Sequence, residues 1–496
     1  MFIGIDLGTS SIKTILIDEN QTTLSAHTEN VELFNPSLGH YEQDPKNWYD
    51  ATIKCFYKIK SDKPKEFSAV RALGISGQMH GATLIDKNNK VLRPCILWND
   101  TRSEKQCTYM ESACTSLREI SGNIAMPGFT APKILWVKEN EKDIFNKIHK
   151  VLLPKDYLRF RLTNTFFTDM SDASGTLWLN VKERRWSKTL LDLTYLSEEQ
   201  MPKLVEGSHK TSFVDKKLAN EIGFKNEVIV AGGAGDQAAG ATGSGVINSN
   251  QSVISLGTSG VYFSPSKKFV SNTNDAIHSF CHCIPNTWHQ MSVMLSATNS
   301  LDWISKICGL NIPDALEKIE KFSNFEFDLN STPYFLPYLS GERTPHNNAY
   351  LRGSFHLLST STDVNSLIYS VLEGISFGIK DGYNAIHSVS PKSDEIFLIG
   401  GGSKNLFWAN LISSLLNQPI LLGEDANLGP ALGVARLAML STEDFSQKEV
   451  IKSMKIIKEC SIDNNLCERL DKRYKVWKQI VNTNEPIASK LMESEL

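Results

Sequence analysis

No run of about 18 or more apolar residues occurs in the 496-residue chain, which excludes a membrane-spanning helix. A basic surplus is also missing. Lys and Arg number 52 against 55 Asp and Glu, a formal charge of −3, so nothing points to a nucleic-acid partner. Nothing at the N-terminus resembles a secretory leader, because strand-like sequence begins at Phe2. The nine cysteines are scattered at irregular spacing, so no disulfide framework is legible and a reduced, cytoplasmic protein is expected. Cys281, His282 and Cys283 are potential metal ligands in a row, but neighbours in a strand point to opposite faces and cannot all reach one ion. A buried strand is the simpler reading. With 41% apolar and 22% charged residues the composition is that of an ordinary globular protein, too long for one core.

What is present is a repeat. Ile5-Asp6-Leu7-Gly8-Thr9-Ser10 recurs as Ile254-Ser255-Leu256-Gly257-Thr258-Ser259, changed only where Asp6 becomes Ser255. Each copy follows an alternating apolar segment and turns at glycine, so each reads as a β-hairpin. Turns of Gly, Ser and Thr aim backbone N–H groups and hydroxyls at phosphate oxygens. Two such turns can hold one polyphosphate, and only the first brings a carboxylate suited to a phosphate-bound Mg²⁺. Lys13 adds a cation within reach. The bland alternative for Asp6 is a turn residue bonding its own backbone.

Strand, glycines and helix recur at the end of each half. Val228–Ala231 runs into Gly232-Gly233-Ala234-Gly235-Asp236-Gln237 and a small-residue helix, and Ile396–Ile399 runs into Gly400–Asn405 and a helix over Leu406–Leu416. Asp236 at a helix N-terminus reads either as a stabilising cap or as a general base, and the glycines before it favour close approach of a substrate hydroxyl. The strand at Val70–Ile75 leads into Gly77-Gln78-Met79-His80-Gly81. In an open α/β sheet such an end is where ligands gather. Met79 and His80 are then either packing groups or a sugar contact, imidazole bonding hydroxyls and thioether lining a C–H face. Gly400–Asn405 reads as a plain helix start or as a flat bed for adenine. Glu342 and Arg343, in the loop Pro337–His346, read as a structural clasp. A helical tail is expected after Glu443.

These segments together resemble the FGGY carbohydrate kinases of the actin-like ATPase superfamily, and Gly128–Trp136 fits a signature segment of that family. Ser76–Gly81, Leu97–Asp100, Leu152–Tyr157 and Pro337–His346 are most similar to the members that phosphorylate D-xylulose. The resemblance runs from Met1 to about Leu440. It implies an α/β fold of two actin-like (ribonuclease H-like) domains, each a mixed sheet flanked by helices, around an interdomain cleft. The division expected is residues 1–245 for sugar, first hairpin and catalytic Asp, and 246–496 for second hairpin, adenosine site and tail, joined through 244–250. Carried over by position, Asp236 is the general base and Asp6 the catalytic carboxylate near Mg²⁺. Met79, His80, Asp236 and Gln237 contact the sugar; many of these relatives have Asn where Gln237 stands, which bears on sugar preference. Thr9, Ser10, Lys13, Gly257 and Thr258 clasp the phosphates of ATP, and Gly401, Gly402 and Asn405 form the adenosine region. The partners implied are D-xylulose and MgATP, with a homodimer as the assembly. A kinase for another ketose or polyol (ribulose, fuculose, glycerol) and an actin-like nucleotide switch are the alternatives.

Overall fold

The computed structural model describes residues 1–323, 329, 331–424 and 429–493. Two seven-stranded mixed sheets organise them. The first runs Lys210–Phe213, Ile229–Ala231, Ala72–Gly77, Phe2–Leu7, Ser11–Ile17, Thr23–Asn30, with Ala234–Gly235 beside the end of Ala72–Gly77. The second runs His278–Cys281, Trp288–Met294, Gly260–Ser266, Gln251–Leu256, Glu395–Ile399, Ile420–Gly423, Ile456–Cys460. In both, an antiparallel hairpin adjoins two parallel strands and then an antiparallel edge. The repeated hexapeptides are the hairpins of the two sheets, as their patterning indicates.

Strand Phe2–Leu7 buries both faces, and each face has its own partner. Ile3, Ile5 and Leu7 pack with Trp48 and Phe56 of helix Pro45–Asp62, whose buried positions recur at helical spacing. Phe2 and Gly4 meet helix Gly429–Leu440 on the other side. That helix lies in sequence between the second sheet's strands Ile420–Gly423 and Ile456–Cys460 yet packs on the first sheet and on helix Asp236–Gly243. The approach is backbone to backbone. A Cβ on Gly4 would lie 1.9 Å from the Ala431 carbonyl oxygen, one on Gly74 2.0 Å from that of Val434, and one on Gly433 1.9 Å from that of Ala239. Gly433→Val should therefore force the two helices apart and destabilise the protein by about 1–3 kcal/mol or more, read as a lower urea midpoint.

Arg436 fixes the same contact at the other end of the helix pair. Its guanidinium donates to the carbonyls of Thr242 (2.9 Å) and Gly243 (3.0 Å), capping the C-terminus of helix Asp236–Gly243. The C-terminal helix, Asn464–Glu493, is anchored on the second sheet's helices through Trp477, Val481 and a two-pronged bond from Arg473 to Glu373, each prong 2.6 Å. Among the described residues no helix is long and apolar enough to cross a membrane. Cys281 and Cys283 face different neighbours, the Val181 carbonyl (3.4 Å) and the Thr242 hydroxyl (3.1 Å), as alternation along an extended chain requires.

Candidate active site

Register alone gathers the first carboxylates. Asp6 pairs with Ser76 on the neighbouring parallel strand, Ser76 pairs with Ala234 on the next, and Gly235 follows beside Gly77. Asp236 is the first residue of the helix that leaves this edge. The carboxyl ends of three adjoining strands thus bring Asp6 and Asp236 together, although 230 positions separate them in sequence. Ser76 Oγ donates to Asp6 Oδ1 at 2.8 Å, and the Gln237 N–H donates to Asp236 Oδ1 at 2.7 Å. Burial, and then the nearby charge of Asp6, push the Asp236 carboxyl up to about 7. Burial also raises Asp6, against the pull of Ser76 and of Lys13, its cross-strand partner in the hairpin.

The turn before Asp236 is held from two sides by residues that the sequence did not single out. Arg159, buried on helix Pro154–Thr163, donates to the Ala231 carbonyl at 2.7 Å and also to the Gly232 carbonyl. Ser171 Oγ accepts the Gly235 N–H at 3.1 Å and donates to Asp169 at 2.5 Å. Asp169 in turn lies 2.9 Å from Lys155, whose ammonium is shared with Asp156 (2.5 Å) and Asp172 (3.5 Å). Burial works against the Lys155 ammonium, but the three carboxylates hold it above its ordinary range. Ser171→Ala leaves the buried Gly235 N–H without an acceptor, and a loss of about 1–3 kcal/mol in denaturant unfolding is expected.

The Met79–His80 loop packs directly on this turn. A Cβ on Gly235 would stand 2.9 Å from Met79 Sδ, and one on Gly175 only 2.6 Å from His80 Nδ1, so both positions are closed to side chains. His80 has a left-handed backbone, φ 69°, fixed by its neighbours. Its carbonyl accepts from Thr130 Oγ1 and from Lys133 Nζ, each at 3.0 Å, and Lys133 also donates to the Gly128 carbonyl at 2.7 Å. Burial pushes Lys133 down to about 7. The His80 ring stands edge-on to Phe129 at 4.8 Å and bonds the Gly175 carbonyl at 2.7 Å through Nδ1. Burial pushes the ring well below its usual range, so it is neutral. The proton sits on Nδ1, which faces a carbonyl, and Nε2 keeps a lone pair able to accept a hydroxyl.

The two hairpin tips differ in how their polar groups are used. Thr9 Oγ1 accepts from Trp98 Nε1 (2.9 Å) and donates to Gln78 Oε1 (3.2 Å), while Gln43 bonds the Thr9 carbonyl (2.7 Å), so this hydroxyl braces the turn. Ser10 is exposed at the tip. In the second hairpin Thr258 is exposed and Gly257 is braced through its carbonyl by Thr298 Oγ1 at 2.7 Å. Gly400, with φ 87°, lies against the Leu256 backbone at the base of that hairpin, placing Gly401 and Gly402 beside it. Gly401 faces open space; Gly402 is buried against Leu256 and Trp408. Asn405 Oδ1 accepts the Trp408 N–H at 2.8 Å as the cap of helix Leu406–Leu416. The turn thus starts a helix, as one reading of Gly400–Asn405 has it, and leaves Gly401 bare beside the hairpin.

Two sheets of matching pairing order, each with a Gly-Thr hairpin, and half-buried carboxylates gathered at the strand ends of the first make the arrangement of a two-domain phosphotransferase of the sugar-kinase type. The chain matches the N-terminal domain of the FGGY family of carbohydrate kinases over residues 1–243 and its C-terminal domain over 252–442, and it belongs to that family. Its relatives include the xylulose kinase of Escherichia coli (strain K12), 46% identical over 89% of this chain and 90% of the relative. The xylulose kinase of Klebsiella pneumoniae is 43% identical over 90% and 91%. Among solved structures, a xyloylose kinase from Brucella ovis superimposes with a TM-score of 0.93 at 42% identity, covering 97% of this chain and 98% of that one. A gluconate kinase from Lactobacillus acidophilus, 22% identical and covering 99% of each chain, shares the fold with a TM-score of 0.92. The fold alone therefore does not choose the sugar.

Proposed function

We propose that this carbohydrate kinase transfers the γ-phosphoryl group of ATP to the 5-hydroxyl of D-xylulose, giving D-xylulose 5-phosphate and ADP. The observation that carries the reading is Asp236: a half-buried carboxyl pushed up to about 7, near Asp6, on a turn packed against the Met79–His80 loop. The identity to xylulose kinases over most of the chain supports the choice of sugar.

In this reading Asp236 accepts the proton of the 5-hydroxyl as the oxygen–phosphorus bond forms and the bond from the γ-phosphorus to its bridging oxygen breaks. Met79 walls the sugar, the Nε2 of neutral His80 accepts one of its hydroxyls, and Gln237, half-buried beside Asp236, contributes an amide. Backbone N–H groups at Thr9, Ser10 and Thr258, with Lys13, grip the phosphates; Gly257, whose own N–H bonds the Ser259 carbonyl (3.1 Å), shapes the second tip and keeps it clear of a side chain, and Gly401, Gly402 and the amide of Asn405 form the adenosine region. Among the described residues no group of three or more His, Cys, Asp or Glu is arranged to hold a metal ion. Asp6 fits the single carboxylate that Mg²⁺ needs when nucleotide phosphates supply most of its ligands. Bound there, the ion would neutralise charge on the phosphates. The duties divide at residues 245 and 246 as the repeat suggests, and a cytoplasmic homodimer completes the reading on the family resemblance.

Coupled detection of ADP with D-xylulose, D-ribulose, L-ribulose and glycerol tests the assignment. D-Xylulose should give the highest kcat/KM. A higher value for any other acceptor replaces D-xylulose in the proposal.

A further inference from the structure

Glu342 and Arg343 are not a clasp for each other. Glu342 Oε1 accepts the N–H groups of Leu295 (2.9 Å) and Arg343 (2.8 Å), which turns the carboxylate back into the second half of the chain. The guanidinium of Arg343 goes the other way. It lies over the ring of Trp98, 5.8 Å from the centroid, and one terminal nitrogen is 3.4 Å from where a Cβ on Gly128 would stand. Trp98 and Gly128 belong to the first half, beside the hairpin tip and the His80 loop. Among the described residues the guanidinium makes no hydrogen bond or ion pair with a protein group. A half-buried fork of five donors with no acceptor is costly to keep unless a ligand supplies one.

We propose that Arg343 is a sugar-recognition residue whose guanidinium donates hydrogen bonds to oxygens at the carbonyl end of an open-chain ketose, opposite the hydroxyl that Asp236 deprotonates. The inference rests on the proposed pentulose reading. Two observations locate the end of the sugar that Arg343 meets. Its contacts are with Trp98 and the Gly128 turn, not with the Gly235–Asp236 turn. Its charge acts on His80, Lys133 and His278, whereas Asp236 owes its raised value to burial and Asp6. Donor and acceptor chemistry then selects the group. A ketone oxygen only accepts, a guanidinium only donates, and neutral His80 offers an acceptor to a neighbouring hydroxyl. A polyol, with a hydroxyl in place of the ketone, loses that match.

The test compares D-xylulose with xylitol, the same chain with its carbonyl reduced, by calorimetry and competition on wild type, R343Q and R343K. R343Q should weaken D-xylulose binding by about 10-fold to 100-fold, the scale for a charged hydrogen bond to substrate, and narrow the preference for ketose over polyol by a similar factor. R343K, which keeps the charge but not the fork, should fall between, and the KM for ATP should not move. An unchanged preference in a folded R343Q overturns the proposal, and R343K decides by the same ratio if R343Q does not fold. Wild type that turns over D-xylulose, with R343Q losing both ligands equally, overturns the role of Arg343 alone. Wild type that neither binds nor phosphorylates D-xylulose overturns the pentulose reading and this inference together.

Discussion

Asp236→Asn should bind D-xylulose and ATP within a few-fold of wild type and lose at least about 100-fold in turnover, the scale of a positioned general base. Asn preserves the shape of the turn and can still accept the Gln237 N–H that now reaches Asp236 Oδ1 at 2.7 Å, so the substitution removes basicity and little else. The clamps on the turn from Arg159 and Ser171 do not involve the Asp236 side chain and remain in place. Single-turnover quenching with bound substrates separates the outcomes. Lost turnover with intact binding assigns Asp236 to the chemical step, and wild-type turnover removes it from the mechanism.

Asp6→Asn should cost turnover about 100-fold or more, because the carboxylate that would hold the phosphate-bound Mg²⁺ disappears, and it should move the pH profile in a defined direction. A base must be unprotonated to accept a proton, so wild-type kcat/KM should rise with pH through about 7, the value to which burial and Asp6 push Asp236. Without the Asp6 charge, Asp236 loses more easily the proton that repulsion made it keep. Its pKa falls, and the rising limb of the residual activity shifts to lower pH. A limb that stays at the wild-type position in kcat/KM for MgATP, which reports the enzyme before the nucleotide's Mg²⁺ arrives, would show that the two carboxylates do not sense each other.

Much of this arrangement was legible in the chain because it depends on local pattern. Alternation in Phe2–Leu7 and Val253–Leu256, with glycine at each bend, specifies the hairpins, and their single difference, Asp6 against Ser255, marks which half carries the carboxylate. The helix expected over Leu406–Leu416 has those bounds, and Asp236 does open a helix. Side-chain commitments were not legible. Thr9 spends its hydroxyl on Trp98 and Gln78, because a donor 89 positions away and an acceptor 69 positions away reach it only after folding, whereas Asn405 spends its oxygen on a local helix cap three positions away. Arg159 and Ser171 escaped notice, and Lys133 was seen only as part of the Gly128–Trp136 segment with no role, because each acts on backbone groups, which carry no sequence signature.

By itself the sequence determined two similar halves, the turn chemistry suited to phosphate, and an acid at the end of each of two strands, since hydrophobic period, glycine and residue type are local properties. Tertiary structure alone decided that helix Gly429–Leu440 crosses to the first sheet, that Asp6 and Asp236 share one low-dielectric edge, and that Glu342 and Arg343 turn apart. Those outcomes depend on which distant backbones can approach closely enough to exclude water, and that is settled only when the sheets and helices pack.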